Sequence, residues 1–270
     1  MGYPRGEGPG IRGVCEASMD QKAKVAAVLF EPYGALLEIE TDERDWYAYL
    51  NLARFLEYRG VSLTADALRW LWFETLARQV GESTERYPEV DARAAWREIV
   101  STHRDPCRDQ PDLDFGTFLA DVTMLHRALT RRTLRLMEGV RPLLEGLHGR
   151  LRLGVVTDAQ PDYILPELEI TGIRRLFDVI VISGAHGYRK PDTRLFQEAL
   201  AAAGVPPHQA LFVGVDTGRD IAGARAAGMH TALVLTPYGS KDIALAEPDV
   251  VLDRTADLAG LLDTMPDRTA

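Results

Sequence analysis

The chain of 270 residues is 46% hydrophobic and carries a formal charge of −9, with 31 Lys and Arg against 40 Asp and Glu. That apolar content excludes disorder of the whole chain, and the acidic balance excludes wholesale attachment to nucleic acid or an anionic membrane, which need a basic surface. Two cysteines, Cys15 and Cys107, are too few for a disulfide framework, and no apolar run approaches the roughly 18 residues of a membrane span, so a cytoplasmic protein is expected.

Residues 1–22 are rich in Gly and charge without periodicity, which reads as a flexible tail that packs nowhere, with Met19 a second candidate start. KVAAVLF (24–30) is an apolar run ended by Pro32 and Gly34, the pattern of a buried parallel strand emptying into a loop. The texture then turns helical. TDERDWYAYLNLARFLEYRG, LTADALRWLWFETLARQVG with Thr64 as N-cap, DARAAWREIVSTH and LDFGTFLADVTMLHRALTRRTLRLMEG all space apolar residues at the helical period, so residues 41–138 are expected to be a helical insertion.

After VRPLLEGLHG, a helix closed by Gly149, short β-branched runs alternate with helices: LRLGVVT, FDVIVIS, ALFVG, HTALVLT and DVVLD separated by PDYILPELEITG, DTRLFQEALAAAG and DIAGARAAG. This alternation predicts βαβ units and a doubly wound, Rossmann-like parallel α/β sheet, with residues 23–40 and 139–270 as the core and the insertion as a cap after the first strand. Ligands of such sheets sit outside the carboxyl ends of the strands, which selects the loops 31–36, 157–160, 183–192 and 214–220.

Those loops offer Glu31, Asp158, Asp216 and Asp220 as carboxylates, Thr157 as a hydroxyl, Arg189, Lys190 and Arg219 as cations and Tyr33 as a phenol. Carboxylates converging with a lysine suit either a hard metal ion with a phosphate or a carboxylate nucleophile with supporting charges. The six histidines lack metal-ligand spacing and read as packing or surface residues, as do Trp70, Trp72, Phe73 and Trp96 in the insertion. RALTRRTLR (127–135) reads as a basic helical face, solvated or meeting an acidic partner.

The order of these loops resembles the haloacid dehalogenase-like hydrolase superfamily. VLFEPYGALLE resembles its first motif, usually hhhDxDGTLhD; GVVTD the second; GYRKPDTRLFQEAL the third, built on a lysine; and LFVGVDTGRDIAGARAAGM the fourth, usually VGDxxxDxxGAxxAGM. The likeness spans about residues 24–253, and the place of the insertion resembles the C1 cap of the phosphoglycolate phosphatase and haloacid dehalogenase branch.

The resemblance implies an enzyme whose first motif supplies a nucleophilic aspartate and, two residues later, an aspartate acting as acid and base. Mg²⁺ would be held by the first aspartate, the backbone carbonyl two residues on and an aspartate of the fourth motif. This chain departs from that pattern: Glu31 stands for the nucleophile, Tyr33 for the acid/base, Ala35 for the usual threonine and Val215 for the metal-binding aspartate, with Asp216 one position late. Asp220 matches the second acidic position, and Asp158 replaces the common asparagine, where it also reads as a helix cap ahead of Pro161.

Glu31, Tyr33, Thr157 and Lys190 are therefore the catalytic candidates, Thr157, Asp158 and Lys190 the phosphate or anion candidates, and Glu31, Tyr33, Asp216 and Asp220 a weakened Mg²⁺ set. A glutamate longer by one methylene displaces the nucleophile, and a misplacement of about 1 Å can cost about a hundredfold in rate. A phenol with a pKa near 10 is a poor proton acceptor at neutral pH. The expectation is a protein weak or inactive as a phosphatase that binds a small anionic metabolite or a protein partner. The alternatives are a Mg²⁺-dependent phosphatase and a metal-independent, dehalogenase-type enzyme with Glu31 as nucleophile and Arg44 or Arg54 for a substrate carboxylate.

Overall fold

In the computed structural model, residues 11–12, 25–105 and 114–263 are described. Cys15 and Cys107 lie outside them, as does most of the loop around Cys107. The core is a seven-stranded sheet in the order β1-β9-β8-β7-β2-β5-β6. Its central strands are β2 (Ala27–Phe30), β5 (Arg152–Thr157), β6 (Val179–Ile182), β7 (Ala210–Gly214), β8 (His230–Val234) and β9 (Val250–Leu252), all parallel. The edge strand β1 (Ile11–Arg12) pairs antiparallel with β9, so part of the segment expected to pack nowhere adds to the sheet. Every residue of β2 and β7 is buried, as helices on both faces of a parallel sheet require.

The connecting helices are α5 (Val140–Leu147), α6 (Pro161–Ile170), α7 (Thr193–Ala203), α8 (Ala222–Ala226) and α9 (Leu258–Asp263). Two apolar clusters cover the two faces of the sheet: Phe30, Val155, Leu168 and Val213 belong to one, and Leu29, Val156, Phe196 and Phe212 to the other. The helices α1 (Trp46–Glu57), α2 (Ala65–Glu82), α3 (Ala92–His103) and α4 (Phe115–Thr130) enclose a separate aromatic interior, where Trp72 and Trp96 stack at 4.8 Å between centroids. Thr64 caps α2 by accepting the amide of Ala67 at 3.2 Å.

The insertion is not helical to residue 138. Helix α4 stops at Thr130, whose hydroxyl turns back to the carbonyl of His126 at 3.0 Å, and Arg131–Leu136 form strand β4. It pairs antiparallel with β3 (Leu37–Thr41), Leu136 opposite Leu37 and Arg135 opposite Glu38. The alternation of arginine with Leu134 and Leu136 explains the change, because the leucines pack on the core cluster while Arg135 reaches Glu38 at 2.8 Å. The basic run is thus split between a helix end and a strand, and its acidic partners lie in the chain itself: Glu167 and Glu43 for Arg127, Asp42 and Asp45 for Arg132, and Glu38 for Arg135.

Candidate active site

Strand β2 delivers Glu31 to the carboxyl edge of the sheet, its amide still bonded to the carbonyl of Val213 in β7 at 3.0 Å. Its neighbours β5 and β7 bring Thr157 and Asp220 to either side, and the loop before α7 brings Lys190 from beyond β5. These four side chains meet. Glu31 Oε1 accepts the Thr157 hydroxyl at 3.0 Å and the Tyr33 amide at 2.9 Å, while Glu31 Oε2 takes the Lys190 ammonium. Lys190 Nζ also donates to Asp220 Oδ1 at 2.6 Å and to the Val156 carbonyl at 3.3 Å. Asp220 Oδ2 accepts the amides of Val215 at 2.9 Å and Asp216 at 3.1 Å. Gly214 makes room for it, since a Cβ there would stand 2.4 Å from that of Asp220.

Asp158 does not cap α6, whose N-cap is Gln160. Its Oδ1 instead accepts the Lys190 amide at 2.9 Å, and its buried Oδ2 lacks a hydrogen bond and faces Arg219 Nη1 at 3.6 Å. Around one buried ammonium the chain thus gathers Glu31 (6% exposed), Asp220 (2%) and Asp158, with Arg219 at the rim. Burial pushes the Glu31 carboxyl up to about 7, with Lys190 opposing and Asp220 and Asp158 reinforcing the rise. Burial alone would lower Lys190, but Asp220, Glu31 and Asp158 outweigh it and hold the ammonium well above the ordinary lysine value. Burial raises Asp158 as well. The cluster keeps its cation, and the raised Glu31 carboxyl can take up or release a proton near neutral pH.

A family profile described as haloacid dehalogenase-like hydrolase matches residues 79–234, more than half of the chain. A phosphoserine phosphatase of Thermus thermophilus is 39% identical over 182 residues, 65% of this chain and 72% of that protein. The chain belongs to the haloacid dehalogenase-like hydrolase family. A haloacid dehalogenase-like hydrolase domain-containing protein 3 of Bos taurus is 42% identical over 107 residues, which is 39% of this chain and 42% of that protein, so this match spans less than half of the relative. Among solved structures, a 2-haloacid dehalogenase from Pseudomonas syringae superposes with a TM-score of 0.60 at 22% identity, over 88% of this chain and 98% of that one, a likeness of fold. The profile match begins at residue 79, so the loop carrying Glu31 stands outside it.

Two of the residues singled out from the sequence face elsewhere. The Tyr33 hydroxyl donates to Glu167 Oε2 on α6 at 2.6 Å, and only its amide addresses Glu31. Burial and then the Glu167 charge push its phenol well above the ordinary value, so it stays protonated. Asp216 caps the turn Thr217–Ile221: Oδ1 accepts the Arg219 amide at 2.9 Å and Oδ2 the Ser240 amide at 2.8 Å. Gly34, in the loop that carries Glu31, adopts φ +87° against Tyr238, whose hydroxyl donates to the Ile39 carbonyl at 3.0 Å. Arg44 lies over the Phe73 ring on the cap, at 5.0 Å from its centroid.

Mg²⁺, which the family implies, finds a poor fit. Both oxygens of Glu31, Asp216 and Asp220 are already engaged by donors, and the Lys241 ammonium stands on the Val215 carbonyl. Among the described residues no group of three or more His, Cys, Asp or Glu could hold a metal ion. An octahedral ion that dehydrates reluctantly would have to displace several of these bonds.

Sequence reasoning missed the seam between cap and core. Arg127 on α4 donates to Glu167 Oε1 at 2.8 Å and lies over the rings of Tyr33 and Tyr163, at 5.7 and 5.1 Å. Gln160 donates to the Val90 carbonyl at 2.7 Å and accepts the Ala92 amide at 3.0 Å, and Ser183 donates to Glu89 at 2.6 Å. The cap segment at 87–89 also bonds backbone to backbone with Gly187 and Arg189. Glu167, inside a helix named from the sequence and 1% exposed, was the available signal: a carboxylate at an apolar helix position needs a partner.

Proposed function

We propose that the chain is a hydrolase-family protein whose candidate hydrolytic centre is occupied by its own glutamate, and that it is weak or inactive as a phosphatase. The supporting observation is that Glu31 accepts the Thr157 hydroxyl, the Tyr33 amide and the Lys190 ammonium, the donors an incoming phosphate would need. A phosphate must therefore displace a carboxylate that is longer by one methylene than the family's aspartate, in a site where the buried Glu31 and Asp220 and the nearby Asp158 already offset one lysine. Coulomb repulsion at such distances opposes a second anion. The ligand class remains a small anionic metabolite, following the phosphatase relative, or a protein that meets the cap.

The test is direct. Inorganic phosphate titrated into the full chain should bind at least tenfold more tightly to Glu31→Ala than to the natural protein, and a generic phosphate ester with Mg²⁺ should show little turnover. Robust Mg²⁺-dependent turnover that Glu31→Gln abolishes would overturn the proposal.

A metal-independent enzyme of dehalogenase type is the second reading, favoured by a site that keeps a carboxylate, a lysine and a hydroxyl together without a fitting metal set. Turnover of a 2-haloacid in the presence of a chelator, lost in Glu31→Gln, would establish it in place of the first.

A further inference from the structure

The turn that follows β7 is met by a cation of the chain's own. Lys241 Nζ donates to the main-chain carbonyls of Val215 and Tyr238 and, at 3.4 Å, to that of Gly239, as many acceptors as an ammonium has hydrogens. A lysine on a loop ordinarily runs its stem along the surface and leaves its charge in water. This one turns inward instead. Burial lowers its pKa, and the charges of Asp216 and Asp220 oppose the fall.

The loop is shaped for that approach. Gly239 adopts φ +68°, and a Cβ there would stand 2.7 Å from the Val215 carbonyl oxygen, so only glycine lets the backbone come this close. The backbone of Ser240 is pinned to the same turn: its amide donates to Asp216 Oδ2 at 2.8 Å, and its carbonyl accepts the Thr217 amide at 2.9 Å. On the other side Tyr238 packs on Gly34, in the loop that carries Glu31. Val215 stands where the family places a metal-binding aspartate, and what its main chain meets is Lys241. The oxygens around that ammonium are neutral carbonyls. Mg²⁺ selects carboxylates and keeps several waters, whereas cages of backbone carbonyls suit a monovalent cation that has shed its hydration shell.

We propose that the carbonyls of Val215, Tyr238 and Gly239 form a monovalent-cation site, filled by the tethered ammonium of Lys241 in place of the family's divalent ion. Without that ammonium the site takes potassium or a small alkylammonium. Lys241 is a positioning residue: through these carbonyls it holds the loop after β8 against the turn after β7, and through Tyr238 the loop reaches the Glu31 segment. The proposal does not depend on whether Glu31 catalyses anything.

Lys241→Ala removes the atoms of a propylammonium ion, so propylammonium is the probe and propanol its neutral equivalent. Urea unfolding of the full chain, at an ionic strength held constant with tetramethylammonium chloride, should give Lys241→Ala a lower midpoint than the natural protein. About 50 mM propylammonium or potassium should restore at least half of that loss, because a ligand of the folded state alone raises stability with its concentration. Propanol should restore none of it, and the natural protein, whose site is filled, should not respond. A Lys241→Ala chain as stable as the natural one overturns the proposal, since the carbonyls then need no cation. A loss that neither cation restores, or that propanol restores equally well, overturns it too. Mn²⁺, followed by electron paramagnetic resonance, should bind Lys241→Ala no more tightly than the natural chain; tight binding confined to the variant would make this a divalent site and overturn the monovalent assignment. If Lys241→Ala fails to fold, its refolding yield from urea with propylammonium or with propanol carries the same decision.

Discussion

In the cap, His126 is fully buried against Trp72, Trp96 and Tyr49, with ring centroids at 4.5, 5.3 and 5.4 Å, whereas in the core Lys190 is buried among Glu31, Asp158 and Asp220. The cap removes its charge. Burial and then Arg127 push His126 down to about 3, and since the Tyr49 hydroxyl donates to the Glu43 carbonyl at 2.9 Å, the imidazole must donate from Nε2, leaving Nδ1 bare. The core keeps its charges and pairs them instead. A neutral imidazole among aromatics is a packing solution, while a buried ammonium shared by the carboxylates of Glu31 and Asp220 carries a large desolvation cost that packing alone would not select. The difference marks the strand ends, not the cap interior, as the place where chemistry is held in reserve.

Removing the cation should break this contrast most severely. Lys190→Met leaves Glu31, Asp220 and Asp158 facing one another without an ammonium, and breaking such a buried pair costs about 3–5 kcal/mol. The deficit should shrink at pH 5, because burial raises the carboxyls of Glu31 and Asp158 and lets them take up protons. Urea unfolding of both proteins at pH 7 and pH 5 measures it. A loss below about 1 kcal/mol at pH 7 would mean that the carboxylates do not depend on Lys190.

The two regions should also respond to pH with opposite slopes. Glu31 has a folded pKa of about 7, above its ordinary 4.5, so the folded state binds more protons between those values and the contribution of Glu31 to stability falls as pH rises from 4.5 through 7. His126 has a folded pKa of about 3, below its ordinary 6.5, so the unfolded state binds more protons and stability is lost as pH falls from 6.5 towards 3. The windows correspond to at most about 3 kcal/mol for Glu31 and about 5 kcal/mol for His126. Glu31→Gln should remove the loss between pH 5 and 7.5, and His126→Phe the loss between pH 6 and 4, both read from unfolding midpoints. Parallel pH curves for the natural protein and either variant would abolish the corresponding half of the comparison.

Much of the core was legible because its signals are local. Apolar runs such as ALFVG and HTALVLT become fully or nearly fully buried strands, and Asp192 and Thr64 cap the helices expected to follow them. The meeting of Glu31, Thr157, Lys190 and Asp220 follows from the rule that strand ends converge. What could not be read was direction. Tyr33 and Asp216 sit at the expected loop positions, but a hydroxyl aimed at Glu167 and a carboxylate turned onto Ser240 depend on elements 134 and 24 residues away. Strand β4 escaped because RRTLRL fits a helical face until Leu37 and Glu38 are known to lie opposite.

Where the two regions touch, Glu167 is the residue that sharpens the comparison with the least disturbance. It belongs to core helix α6, yet its charge is spent on Arg127 of cap helix α4, while its second oxygen receives the Tyr33 hydroxyl from the loop that carries Glu31. Glu167→Gln keeps the shape and an acceptor but removes the charge, and Arg127 retains Glu43 at 3.4 Å and the faces of Tyr33 and Tyr163. The loss of one charge-assisted hydrogen bond predicts about 2 kcal/mol, smaller than either effect above. Its location should be more telling than its size: the amides of Glu89, Ala92 and Arg189, which bond across the seam, should exchange with solvent faster, while those of β5 and β7 keep their protection. Because the Tyr33 amide holds Glu31, it should loosen with them if the cap steadies the Glu31 loop through Glu167. Seam amides that exchange at the natural rate in Glu167→Gln would instead mean that the ion pair is incidental and that Gln160, Ser183 and the backbone bonds at 87–89 alone hold the cap on the core.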